Sequence, residues 1–242
     1  MSGISSPQGG EQRLIITTAT RREMRSALQA VSCPADLPYG QPVEWTLKHR
    51  ACTLLITGIG PINAALQLGR ALARADKVLG VLNLGIGGSF DLEKLPLLQL
   101  CTVHEEIWPE FGLWTDQGLK PRALKFPLGI LQGSSVWDRI DLEPGKAAAQ
   151  AGLKLASVGP SVRSLSVAGV TGTLERAAAL WQRYKAELEN MEGFALGWAC
   201  LQAGVPFVEC RSVSNLVGTR NSQAWDIQGA LGQLGQALPN LL

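Results

Sequence analysis

The stretch that most constrains this chain is a run without a single charge, residues 193–203 (GFALGWACLQA), with a second apolar run starting four residues later. The first run is long enough for three helical turns. Gly204 suits the left-handed position that ends a helix, and Pro206 stands where a helix cannot continue. Residues 207–213 (FVECRSV) then read as a strand ending at Ser214-Asn215. A core helix that turns straight into a buried strand needs other elements packed around it, which is the condition of a layered α/β domain.

The rest of the chain repeats that alternation. Residues 14–18 are apolar and β-branched and predict a strand, with a helix from Thr20 to about Ala30. Residues 31–50 hold Pro34, Pro38, Gly40 and Pro42 and read as loop and hairpin. Residues 51–57 predict a buried strand, 58–60 (GIG) a tight turn, and the residues to about Ala73 a helix. A third buried strand, 78–83, leads into a glycine-rich loop, 84–90, and a further strand is expected over 97–103. Residues 113–163 read as loops with short strands. Residues 164–173 predict a strand ending in a Gly/Thr turn, Thr173 caps a helix over 174–187, and residues 228–242 predict a helix closing the sheet edge. Residues 13–242 thus read as one α/β domain, its sheet covered by helices on both faces, behind a flexible polar tail at 1–12.

Composition narrows the function classes. A net charge of +2 and the absence of a Lys/Arg run give no stripe for nucleic acid. No apolar run reaches the roughly 18 residues of a membrane span, and the N-terminus lacks the apolar core of a signal peptide. Five widely spaced cysteines, none in a C-x-x-C pair, read as reduced and mostly buried thiols of a cytoplasmic protein. His49 and His104 lie far apart and no metal-ligand spacing is present, so no metal or organic cofactor is expected. A dinucleotide fingerprint would need a third glycine where Asn63 stands.

Asn190-Met191-Glu192-Gly193 resembles the (E/N)-M-E-(G/A) motif of the purine nucleoside phosphorylase and nucleosidase superfamily, and Arg211-Ser212-Val213-Ser214-Asn215 its R-x-I-S-(D/N) strand end. Gly58 to Ala65 and Asn83 to Gly88 are similar to two glycine turns of the same group. The longer string from Arg211 to Asn221, with Trp225 beyond it, resembles the futalosine hydrolase branch. The resemblance implies a three-layer nucleoside phosphorylase-like fold with a central mixed, twisted sheet. It implies a homo-oligomer that takes a small nucleoside and cleaves its N-glycosidic bond, releasing hypoxanthine from futalosine in the alternative menaquinone pathway.

The same resemblance implies site residues. Glu23 corresponds to the general base that activates water, with an ordinary first-turn helix carboxylate as the other reading. Glu192 would hold the ribose hydroxyls, since an ionised carboxylate accepts two hydrogen bonds from a diol. Its place at a helix start favours the ionised form. Met191 would pack on the sugar, the loop containing Ile86 and Gly87 would lie beside it, and Val170, Thr171 and Gly172 would flank the base, with capping an equal account of the last two. Isoleucine at 86, where many phosphorylases carry a phosphate-binding serine, favours water over phosphate. Asn215 offers one acceptor and one donor, which suits a protonated N7 and the O6 of a 6-oxopurine. A phosphorylase or nucleosidase for another 6-oxopurine nucleoside, and a non-catalytic nucleoside-binding protein, remain the alternatives.

Overall fold

The computed structural model describes residues 12–31, 34, 37–219 and 225–242. The expected tail, apart from Gln12, and the motif residues Arg220 and Asn221 lie outside them, as does Cys33.

The chain opens with β1 (Arg13–Thr18), α1 (Arg21–Ala27), the antiparallel pair β2 (Val43–Leu47) and β3 (Arg50–Ile56), α2 (Pro61–Arg74) and the long β4 (Val78–Ser89). Thr20 and Glu23 form a reciprocal capping box at the start of α1. Gly58 and Gly60, both at φ 90°, make the turn from β3 into α2. Next comes β5 (Leu100–Ile107), followed by two small hairpins, β6 (Leu113–Thr115) with β7 (Gly118–Lys120) and β8 (Gly129–Leu131) with β9 (Ser134–Val136). The last part holds β10 (Arg139–Asp141), α3 (Pro144–Gln150), β11 (Ser161–Ser166), α4 (Leu174–Tyr184), β12 (Leu188–Asn190), α5 (Gly193–Ala203), β13 (Phe207–Leu216) and α6 (Ile227–Leu241).

The large sheet is mixed. β1 pairs in parallel with β3 and β4, β11 with β5 and β12, and β13 with β4, whereas β12 meets β4 and β13 meets β5 antiparallel. The pairs β4–β13, β13–β5, β5–β11, β11–β12 and β12–β4 close a ring of five strands, and β1, β3 and β2 extend from β4 as an open wing. Helices cover both faces, as expected. One apolar cluster joins α1, α3 and α6 to Leu82, Leu84, Val208 and Cys210; the other joins α2 and α5 to Val81, Cys101, Val103 and Val213. This split follows from the two-residue repeat of a strand, which sends Val208 and Cys210 to one face and the odd-numbered neighbours to the other.

Five expectations need correction. Residues 113–163 hold a helix, α3, besides loops and short strands. The glycine segment after Asn83 is not a loop: β4 runs unbroken to Ser89 because β13 pairs with it throughout and its glycines let Arg211, Leu188 and Asn215 of the neighbouring strands approach closely. β5 runs on through Glu105 and Glu106 to Ile107, so this acidic segment is strand and Glu106 is fully buried. Helix α4 stops at Tyr184, with Lys185 left-handed, which makes room for the short β12. Finally, α6 packs on α1 and on the face of β4 and β13 rather than closing a sheet edge.

Candidate active site

The site starts at the junction of β12 and α5. Asn190 Oδ1 accepts the amides of Glu192 (2.8 Å) and Gly193 (2.7 Å), and Ser166 Oγ accepts that of Phe194 (2.7 Å). The first amides of α5 are therefore capped from neighbouring strands, and the Glu192 side chain makes no cap bond. Instead its carboxylate turns back, accepting the Gly60 amide at 3.0 Å and facing Arg211 Nη1 at 3.5 Å. The glycine turn before α2 thus has a second task beyond turning.

Arg211 is fully buried on the α5 face of β13. It donates from Nε to Glu209 Oε1 (2.7 Å), from Nη2 to Asn190 Oδ1 (3.3 Å) and from Nη1 to the Ile86 carbonyl (3.3 Å). Gly85 makes room for it, since a Cβ there would collide with Nη1 and lie 3.1 Å from Cζ and 3.2 Å from Glu23 Oε1. One guanidinium therefore lies beside both candidate carboxylates. In the sequence Arg211 is visible only as one motif residue, yet an arginine inside an otherwise buried strand demands carboxylate partners.

Glu23 is buried at the start of α1. Its Oε2 accepts the Thr20 amide (2.9 Å) and hydroxyl (2.8 Å), and its Oε1 accepts the Ile86 amide (3.2 Å). The first-turn reading of Glu23 holds, since its carboxylate caps α1, and the same carboxylate reaches β4 at the cavity wall. Burial, and then the negative charge of Glu192, raise its pKa above the ordinary 4.5. An acid so displaced holds a proton more readily near neutral pH, which suits a general base.

Asn215 sits at the end of β13. Its Oδ1 lies 2.8 Å from the Ser214 hydroxyl, which also has the Gly87 carbonyl within 3.1 Å, and its Nδ2 donates to the Leu216 carbonyl at 3.1 Å. One amide hydrogen and one lone pair remain for a ligand.

Glu23, Ile86, Gly87, Val170, Met191, Glu192 and Asn215 line one cavity of about 410 Å³, together with Ile59, Trp225 and Arg22. Thr171 and Gly172 are not part of its wall. The Thr171 amide and hydroxyl are held by the Glu189 carboxylate at 3.0 and 2.5 Å, and Gly172 is exposed. Thr173 caps α4 through the Arg176 amide. Arg22 is an exposed cation at the cavity wall with no ion pair among the described residues, whereas Arg21 bonds the Leu37 carbonyl and covers the Tyr39 ring. A larger cavity, about 760 Å³, lies around residues 120–123 and 134–141 and holds none of the candidate residues. The four described cysteines are buried, and burial raises the thiol of Cys52 to about 11 and that of Cys101 to about 12, far from a reactive thiolate.

Comparison with known proteins bears on this arrangement. Residues 129–242 match the model of the Phosphorylase superfamily. The chain is 38% identical over 199 residues to the futalosine hydrolase of Thermus thermophilus, covering 81% of this chain and 83% of that one. It is 32% identical to the futalosine hydrolase of Streptomyces coelicolor, covering 94% of each. The chain belongs to the futalosine hydrolase family. Among solved structures, the fold is similar to a 5'-methylthioadenosine/S-adenosylhomocysteine nucleosidase from Helicobacter pylori (TM-score 0.74, 20% identity, covering 95% of this chain and 97% of that one). It is equally similar to a futalosine hydrolase from the same organism (TM-score 0.74, 20% identity, covering 95% and 96%). The mixed-sheet nucleoside phosphorylase fold implied by the motifs is the observed one. Futalosine hydrolases are thus the family to which the carboxylate pair and Asn215 are to be related.

Proposed function

We propose that this protein hydrolyses the N-glycosidic bond of futalosine and releases hypoxanthine, a reaction of menaquinone biosynthesis. The observation that carries this reading is the meeting of Glu23, Glu192 and Asn215 at one cavity, in a chain of this family. As the bond breaks, the ribose gains positive and the purine negative charge. Glu192 holds the ribose hydroxyls and favours the developing cation, with Arg211 and the Gly60 amide fixing its carboxylate. Glu23 takes the proton of the attacking water, and its raised pKa lowers the cost of doing so. Asn215 accepts from a protonated N7 and donates to O6, which selects a 6-oxopurine. Ile86 supplies an apolar side chain where phosphate would need a donor, so water is the acceptor.

Residues 13–242 act as one domain and require no cofactor. Ile59, Ile62 and Leu66, exposed by 57%, 81% and 53%, offer an apolar face to a second subunit beside the cavity that Ile59 lines. The buried thiols fit a reducing, cytoplasmic setting. The test is base release from futalosine, inosine and aminodeoxyfutalosine, each with and without phosphate. Phosphate-independent release of hypoxanthine from futalosine is expected. Release that requires phosphate, or a preference for the adenine compound, would overturn the assignment.

A further inference from the structure

Beneath the cavity lies a second pair of carboxylates to which the proposed reaction gives no role. Glu106 on β5 and Glu209 on β13 are both fully buried. Glu106 Oε1 and both carboxylate oxygens of Glu209 lie within 2.6 Å of the point that a Cβ on Gly193 would occupy, so the two groups meet under the start of α5. The surrounding donors are accounted for. Glu106 accepts Asn190 Nδ2 at Oε1 (2.6 Å) and the Ser166 hydroxyl at Oε2 (2.7 Å), and Glu209 Oε1 accepts Arg211 Nε. Glu209 Oε2 is left without a partner when both groups are ionised.

The charges do not balance either. Glu23, Glu192, Glu209 and Glu106 are all buried, and Arg211 is the one cation among the described residues in contact with this cluster. The other groups facing the pair are Asn190, Ser164, Ser166 and Cys101; Glu105, the neighbour on β5, turns to the opposite face to meet Arg139 and Arg163. Uncompensated charges in such a site are costly, and buried carboxyl groups respond by keeping protons.

We propose that Glu106 and Glu209 hold one proton between them and act as a unit that positions Arg211 against Glu192 and Glu23. The proton supplies the missing partner of Glu209 Oε2 and leaves Oε1 to fix Nε of Arg211. With Nε held, Nη1 faces Glu192 and the Ile86 carbonyl, and Nη2 faces Asn190. Burial and the mutual repulsion of the two carboxylates push the pKa of Glu106 well up, in line with a retained proton. Glu209 is therefore a positioning residue that acts through Arg211.

Glu209→Gln tests this without changing shape. Its amide N–H donates to Glu106 Oε1 as the shared proton does, its carbonyl accepts Arg211 Nε, and the total charge is the same. The parent is expected to lose kcat at alkaline pH as the proton leaves, with KM little changed. E209Q should keep kcat within about threefold at neutral pH and lack that alkaline loss. Glu209→Leu, which leaves Nε of Arg211 unpaired, should lose about tenfold or more. If E209Q fails as badly as E209L, or keeps the alkaline loss, the shared proton is refuted. Infrared spectroscopy needs neither turnover nor a variant. The parent at neutral pH should show a carboxylic acid C=O band that shifts in D2O, persists in Glu23→Gln and vanishes in E209Q. No such band in the parent overturns the proposal. The kinetic arm rests on the nucleosidase reading, whereas the band does not. A band in a protein that releases no base would sink that reading and leave the proton pair standing.

Discussion

Replacing Asn215 by aspartate tests the base-recognition argument most directly. In the parent, Nδ2 donates to the Leu216 carbonyl at 3.1 Å and has one hydrogen left for the base. An aspartate turns that donor into an oxygen, facing the Leu216 carbonyl on one side and O6 of a 6-oxopurine on the other. The Ser214 hydroxyl compensates at one oxygen only, since it has a single hydrogen and two acceptors, Asn215 Oδ1 and the Gly87 carbonyl, within 3.1 Å. One buried polar contact is lost outright, at a cost of about 1–3 kcal/mol, or roughly tenfold to a hundredfold in rate. A 6-amino group donates to the new carboxylate and escapes that loss. The ratio of kcat/KM for futalosine over aminodeoxyfutalosine should therefore fall by about tenfold to a hundredfold in N215D. The assay is chromatographic quantitation of released hypoxanthine and adenine, with circular dichroism to establish that the variant is folded. An unchanged or higher ratio in a folded variant would refute the role given to Asn215.

Glu23 carries a pH prediction. Its folded pKa is raised above the ordinary 4.5. Its contribution to stability is thus fully present below that value and is lost as pH rises through the folded value. Thermal melts should show stability falling over that window more steeply in the parent than in Glu23→Gln, and the acid limb of kcat/KM should lie above 4.5; a limb at or below it would contradict the assignment. Arg22→Ala should weaken binding of nucleosides bearing an acidic substituent by about tenfold, the scale of one charge-assisted contact, and leave inosine unaffected in the same competition assay. Gly85→Ala drives a methyl into Arg211 Nη1 and should destabilise by about 1–3 kcal/mol in denaturant titration, with most base release lost; a variant as stable and active as the parent would show that Arg211 has room to move.

What was legible in the sequence was local. The helix at 193–203 and its left-handed Gly204 follow from apolarity and a glycine–proline stop. Glu23 stood out because it follows a strand directly, and Asn215 because it ends one. The hidden parts depend on partners far away in the chain. A glycine-rich segment looks like a loop until Arg211 and β13 fill the space its glycines leave. Glu106 looks like a surface charge beside Glu105 until Asn190 and Ser166 satisfy it. Thr171 looked available to a ligand because Glu189, the residue that engages it, carries no mark of that role in its own neighbourhood. Arg22 and Arg21 are chemically identical neighbours, and only the position of Leu37 and Tyr39 separates the tethered one from the one at the cavity.

The ring of five strands has a consequence for the order in which the protein takes shape. Its members are drawn from residues 78–89, 100–107, 161–166, 188–190 and 207–216, and β13 joins β4 to β5. A nascent chain that has not yet emerged past β13 can build the open wing of β1, β2, β3 and β4, whose pairings are closer in sequence, but it has neither Arg211 nor the last wall of the cavity. Pairings that distant are slow to form. The nucleoside site therefore forms only once β13 is in place, and until then one edge of β4 stands unpaired.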